Sequence, residues 1–346
     1  MKRQTIFKLI SILIGLLFGL IITEVGFRVY HRITYQSLMD INENRPPVER
    51  SEEELKLGQV VQVSSNKKII YELVPNSKYK FKNVLVETNE QGFRDKNYPV
   101  KKVKKTRRVI GLGDSIMFGW GVEEKKSYLT RLENKLNQEK DSFQYEIINT
   151  AVPGYNTVME IETFQEKIDA SQVDLVIINY VHNDLDLPNF IRKKPVYSNL
   201  NELFMIKFFS DDNGFDERLR GAPFDGKNWK YQSDTTKIPA EYHDMVGMKS
   251  YQTAMKKLQK LSETHQFKVI VLSHRPTANA PEAIKTISEE LGFEFVVVGP
   301  TWLEFKAKNP EIEWKIAPDD FHPTPAGHQI ISEVLEEKVI ELFEKK

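Results

Sequence analysis

Ser115 closes the triplet Gly113-Asp114-Ser115, directly after the apolar run Val109-Ile110-Gly111-Leu112, so the chain offers a serine hydroxyl at the end of a predicted strand. A serine hydroxyl is a weak nucleophile. Acyl transfer through it needs a base that takes its proton and a third group that orients the base. Far downstream, Asp319-Asp320-Phe321-His322-Pro323 supplies both residue types. Asp319 stands three residues before His322, close enough on a turn for its carboxylate to accept a hydrogen bond from one ring nitrogen while the other faces the serine. Each piece alone has a plain structural reading: Asp and Ser cap helices, glycine serves tight turns, and a histidine before proline is often a turn residue.

These groups can act together only if the fold brings them to one place. From residue 107 onward, apolar runs at 108–112, 145–149, 175–180, 268–273 and 294–298 alternate with helical spacing at 128–139, 158–170, 251–264, 281–291 and 325–346. This is the signature of βαβ units around a five-stranded parallel sheet, whose strands read apolar throughout because helices cover both faces. Ligands bind such sheets at the carboxyl ends of the strands. Ser115 leaves the first strand there, where the amides opening the next helix stabilise negative charge. Ala151-Val152-Pro153-Gly154-Tyr155-Asn156 follows the second strand and Val181-His182-Asn183-Asp184 the third. The Gly154 amide and the Asn183 side-chain amide can therefore join the Ser115 amide as an oxyanion hole. His182 and Arg275 lie at the same edge as candidate substrate contacts, with solvated loop positions as the alternative, and His328 in the closing helix is assigned a structural role. Residues 185–248 interrupt the alternation with Phe190, Tyr197, Phe204, Trp229 and other aromatics, an insertion placed to form a lid or a satellite core.

The ordered set resembles the SGNH hydrolases, also called GDSL esterases and lipases, which are named for a Ser, a Gly, an Asn and a His in successive sequence blocks. The matching residues are Ser115 in Gly-Asp-Ser, Gly154, Asn183 in Asn-Asp, and His322 in Asp-x-x-His, and the resemblance covers residues 107–346. It implies a three-layer α/β/α fold of flavodoxin-like strand order. It also implies a covalent acyl-enzyme formed by Ser115, with His322 as base and then acid, Asp319 as its orienting carboxylate, and no metal or organic cofactor. Asp320 adjoins Asp319 and competes for His322, but the Asp-x-x-His spacing favours Asp319. Val181 departs from the family's glycine before Asn-Asp, which reshapes the site, and Ile116 replaces a leucine at little cost.

Composition narrows the setting. With 49 basic and 49 acidic residues, the chain has no net field that favours nucleic acid, although residues 101–108 are locally basic, a solvated linker or a phosphate-binding patch. The absence of cysteine excludes thiol catalysis, thiolate metal sites, disulfides and a lipoprotein anchor. Met1-Lys2-Arg3 and Lys8 precede an uncharged Leu- and Ile-rich run to Thr23. This predicts a signal anchor, with a cleaved signal peptide as alternative. Lys2, Arg3 and Lys8 face Arg28, His31 and Arg32 across it, a weak vote for an extracytoplasmic, periplasmic or cell-surface, catalytic part. The expected organisation is an anchor at 1–32, a linker at 33–59, a small β-rich segment at 60–106 and the hydrolase domain at 107–346. The chain thus reads as a membrane-anchored bacterial ester hydrolase, with an acylated carbohydrate or lipid as substrate and partner, and O-acetyl removal from envelope glycans preferred. An O-acyltransferase of polysaccharide assembly, a lipid esterase and a non-catalytic glycan-binding module are the alternatives.

Overall fold

A computed structural model of the chain describes residues 2–39, 46–138, 143–188, 203, 240–275 and 281–344. The lid or satellite core expected at 185–248 lies mostly outside these residues, including Phe190, Tyr197, Phe204 and Trp229.

The chain opens with helix α1 (Lys2–Met39), within which Arg3–Tyr30 is long and apolar enough to cross a membrane, a property shared by signal sequences. Its large apolar side chains are exposed. Next come β1 (Glu49–Glu54), the short helix α2 (Leu57–Val60), β2 (Val61–Val63), β3 (Tyr71–Leu73), β4 (Lys78–Phe81) and β5 (Val84–Glu87). The linker expected at 33–59 is therefore corrected. Its acidic run lies in β1, which pairs in parallel with β4 through Glu49, Arg50 and Glu54 with an irregularity between Arg50 and Glu54, while β4 and β5 form an antiparallel hairpin and β2 and β3 pair separately. Isolated glutamates have poor strand propensity, and the partner's unsatisfied backbone groups decide the outcome.

The main domain follows in order: β6 (Thr106–Leu112), α3 (Ser115–Phe118), α4 (Tyr128–Gln138), β7 (Gln144–Asn149), α5 (Thr157–Lys167), β8 (Leu175–Tyr180), α6 (Gly247–His265), β9 (Lys268–Ser273), α7 (Glu282–Glu290), β10 (Glu294–Val297), α8 (Gly299–Lys308), β11 (Lys315–Ala317), β12 (Asp320–Pro323) and α9 (Pro325–Glu344). The sheet order β10-β9-β8-β6-β7, parallel throughout, is the expected flavodoxin-like order. All six residues of β8 are buried, so the central strand is covered on both faces, and four of them are Leu, Val or Ile. Each such Ile, Val or Leu contributes roughly 1.5–3 kcal/mol of burial free energy before chain entropy is counted. The strand order reverses between β6 and β8, which opens a crevice at their carboxyl ends. The loops after β6, β7 and β8 meet there.

Candidate active site

Ser115 opens the single turn α3, immediately after β6. Asp114 caps that turn by accepting the Ile116 amide on Oδ1 at 3.0 Å, and Gly113 permits the tight approach, because a Cβ there would meet the Met117 Cβ at 2.7 Å. The turn ends at Gly119, left-handed at φ 84°. One turn of helix has too few bonds to hold itself. A second support comes from Arg94, a fully buried side chain whose guanidinium donates to the carbonyls of Phe118 at 2.9 Å, Gly119 at 2.7 Å and Val122 at 2.8 Å.

His322 Nε2 lies 2.8 Å from Ser115 Oγ. The carboxylate on its other ring nitrogen, Nδ1, is that of Asp320, whose Oδ1 also accepts the His322 amide at 3.2 Å. The expectation for Asp319 is thus corrected: that side chain is exposed. The reason is local geometry. Residues 320–323 form the strand β12, where residues two apart share a face and residues three apart do not. Asp320 and His322 therefore face the serine together.

The electrostatics suit a resting base. Burial holds the His322 imidazole below its ordinary pKa, against the Asp320 carboxylate, which pulls upward. For Asp320, burial works upward and is outweighed by hydrogen bonds from His322 and Trp120, leaving the carboxyl below its ordinary range. The pair at neutral pH is a neutral imidazole beside a carboxylate, so His322 can accept the Ser115 proton and Asp320 can stabilise the resulting imidazolium.

The loops after β7 and β8 pack against the Ser115 turn. Gly154 is left-handed at φ 81°, a conformation that a side chain would strain, and the Val152 amide ties this loop to the Gly113 carbonyl at 3.2 Å. Asn183 sits in the 3-10 turn His182–Leu185, which Asp184 closes by accepting the Val181 amide at 2.6 Å. The Asn183 Nδ2 donates to Asp114 Oδ2 at 2.9 Å, and its second contact, to the Tyr155 carbonyl, is long at 3.4 Å. Asn183 is thus aimed at the Ser115 turn. His182 meets Phe321 edge-on at 5.6 Å, and burial, aided by the Arg275 charge, brings its pKa down to about 4. His328 is buried in α9 and accepts the Tyr128 amide at 3.2 Å, so its place is structural.

Sequence reasoning passed over Trp120, which lies nearly parallel to the His322 ring at 4.7 Å and 9° and donates its indole N–H to Asp320 Oδ2 at 3.2 Å. It also passed over the contribution of the early β segment. Phe81 meets Trp120 edge-on at 4.9 Å, the Lys82 ammonium sits 4.9 Å from the same ring, and the Tyr71 hydroxyl donates to the Pro153 carbonyl at 2.9 Å. The segment is built into the walls of the site. No group of metal-ligating side chains is found among the described residues.

A scan against family models and a search of curated proteins each find no match to this chain. Among solved structures it is similar to the acetylxylan esterase Axe2 from Geobacillus stearothermophilus, at 14% identity and TM-score 0.42 over 68% of this chain and 96% of that one. It is also similar to LAE5, an alpha/beta hydrolase enzyme from the metagenome of Lake Arreo, Spain, at 14% identity and TM-score 0.41 over 66% and 93%.

Proposed function

We propose that the protein is a serine ester hydrolase of the SGNH type. Ser115 Oγ attacks the ester carbonyl as its proton passes to His322 Nε2, and the imidazolium, held by Asp320, then returns that proton to the leaving alkoxide. The Ser115 and Gly154 amides and the Asn183 side chain receive the oxyanion. Water, deprotonated by His322, releases the acid and regenerates the serine. The observation that carries this reading is the 2.8 Å contact between His322 Nε2 and Ser115 Oγ, with the Asp320 carboxylate on the far ring nitrogen.

Phe321, 47% exposed, stacks on His322 at 4.5 Å and 19°, which puts an aromatic face beside the reacting atoms. Such a face suits a sugar ring, and a short acyl group on a carbohydrate is the substrate class we favour. Helix α1 would tether the enzyme to the membrane with its catalytic part outside the cytoplasm.

The test is labelling of the full chain with a fluorophosphonate probe, which should modify wild type and neither Ser115→Ala nor His322→Ala. Folded wild-type protein that resists the probe would sink the reading. Acetate release from acetylated oligosaccharides, measured beside a chain-length series of nitrophenyl esters, then tests the substrate class. Faster turnover of long acyl chains than of acetate would overturn it.

A further inference from the structure

Trp120 is placed to govern the geometry of both other members of the triad around Ser115. Its indole N–H takes Asp320 Oδ2 at 3.2 Å while Oδ1 faces His322, so each carboxylate oxygen has its own donor and rotation of the carboxylate is fixed. Its ring, 9° from parallel with the imidazole, limits turning of His322 away from Ser115. The same π face attracts a cation, so it favours the imidazolium once the serine proton has moved.

The hairpin β4–β5 adds a charge to this arrangement. Lys82 and Asn83 form its two-residue tip at φ 51° and 63°, the left-handed pair of a type I′ turn, where Asn-Gly is the preferred sequence. A lysine there breaks the local rule, and such departures concentrate where a side chain has a task. The Lys82 ammonium lies 4.9 Å from the Trp120 ring, and its charge opposes protonation of His322. Of the other groups that His322 feels, Asp320 on its own strand and Asp114 from the nucleophile loop favour the cation. His274 and His328 are kept neutral by burial, with pKa values near 3.

We propose that Trp120 is a positioning residue of the catalytic triad and that the Lys82 charge, carried to the Trp120 ring by the β4–β5 hairpin, opposes the cationic form of His322. The proposal rests on the serine-hydrolase reading. Its test uses the full chain in nanodiscs, with kcat, KM and fluorophosphonate labelling rate measured against pH, and with the His322 ring titrated directly by NMR of histidine-labelled protein. Trp120→Leu should lower kcat on the order of 10²-fold, the cost of a misplaced catalytic group, with KM nearly unchanged. Trp120→Phe, which keeps the ring and loses the N–H, should fall between Leu and wild type. Lys82→Met removes a positive charge and should raise the His322 pKa, moving the acid limb to higher pH, while Lys82→Arg should restore the wild-type profile. Lys82 is at a hairpin tip, so this pair keeps the test decisive if the Trp120 variants fold poorly. Wild-type kcat in Trp120→Leu, or coincident His322 titrations in wild type and Lys82→Met, would overturn the proposal. Unlabelled Ser115 in the wild type would instead remove the hydrolase reading, and the ring titration would still decide the Lys82 part.

Discussion

Replacing Asp320 by Asn should cost most of the activity although it changes no volume, and the structure says why. Three N–H donors converge on this carboxylate: the ring and backbone of His322 on Oδ1 and the Trp120 indole on Oδ2. An Asn has one acceptor oxygen and a donor in the other place. If its oxygen stays on His322, its NH2 group confronts the Trp120 N–H. If it flips, Nδ1 must become an acceptor and the ring proton moves to Nε2, the atom that has to take the Ser115 proton. Either way the imidazolium loses its counter-charge. Losing tautomer and charge together is worth about 10³–10⁴ in kcat, or roughly 4–5.5 kcal/mol of barrier. The assay is kcat/KM on a nitrophenyl acetate against pH, paired with fluorophosphonate labelling. The acid limb of the residual activity should move to lower pH, since Asp320 is the partner that raises the His322 pKa. Asp319→Asn, at an exposed position, should leave activity within about twofold, as surface changes usually do. A large loss in Asp319→Asn with little change in Asp320→Asn would refute the strand-based pairing.

Asn183→Ala should lower kcat by about 10²–10³ with KM nearly constant, the usual cost of one oxyanion donor, and an unchanged kcat in steady-state turnover would exclude it from that role. Arg94→Leu leaves the carbonyls of Phe118, Gly119 and Val122 without their buried donor and should cost about 3–5 kcal/mol, read as a fall in the denaturant midpoint; a wild-type midpoint would contradict this. Burial holds His328 near pKa 3 in the folded state against 6.5 ordinarily, so the unfolded chain binds its proton first. Stability from this residue is complete above pH 6.5 and is lost as pH falls toward 3. Between pH 7 and pH 5 the loss in wild type should exceed that in His328→Gln by about 2 kcal/mol, and equal losses in urea titrations would argue against it.

The parts of the site that sequence exposed are those whose signal is local. The runs 175–180 and 268–273 are apolar because helices cover both faces of the sheet, and β8 and β9 occupy those spans. Ser115, Gly154 and Asn183 follow such runs, so locating the strands located the edge that gathers them. A spacing of three presumes a turn and points to Asp319, whereas the backbone at 320–323 is extended and sets Asp320 against His322. The alternation of Asp320 and His322 around Phe321 was the available signal, and a four-residue strand is too short for period-two patterning to stand out.

Other contributors were hidden for a different reason. Nothing local to Arg94 announces burial, since arginine is ordinarily exposed, and its task appears only in the fold, where it donates to the carbonyls of Phe118 and Gly119 at the end of α3. Trp120 and Asp320 are 200 residues apart, and Tyr71 reaches Pro153 across 82, so neither contact leaves a mark in either segment's own pattern. The one-turn helix behind Ser115 explains why such help is needed. A helix that short cannot fix a nucleophile to within the few tenths of an ångström that proton transfer demands, so rigidity must be imported from elements remote in sequence. The early β segment supplies it at three points: Arg94 under the nucleophile turn, Tyr71 behind the Gly154 loop, and Lys82 with Phe81 against Trp120. On the proposed hydrolase reading the segment at 60–106 buttresses the site, and its removal should abolish fluorophosphonate labelling of Ser115 even where the parallel sheet still folded.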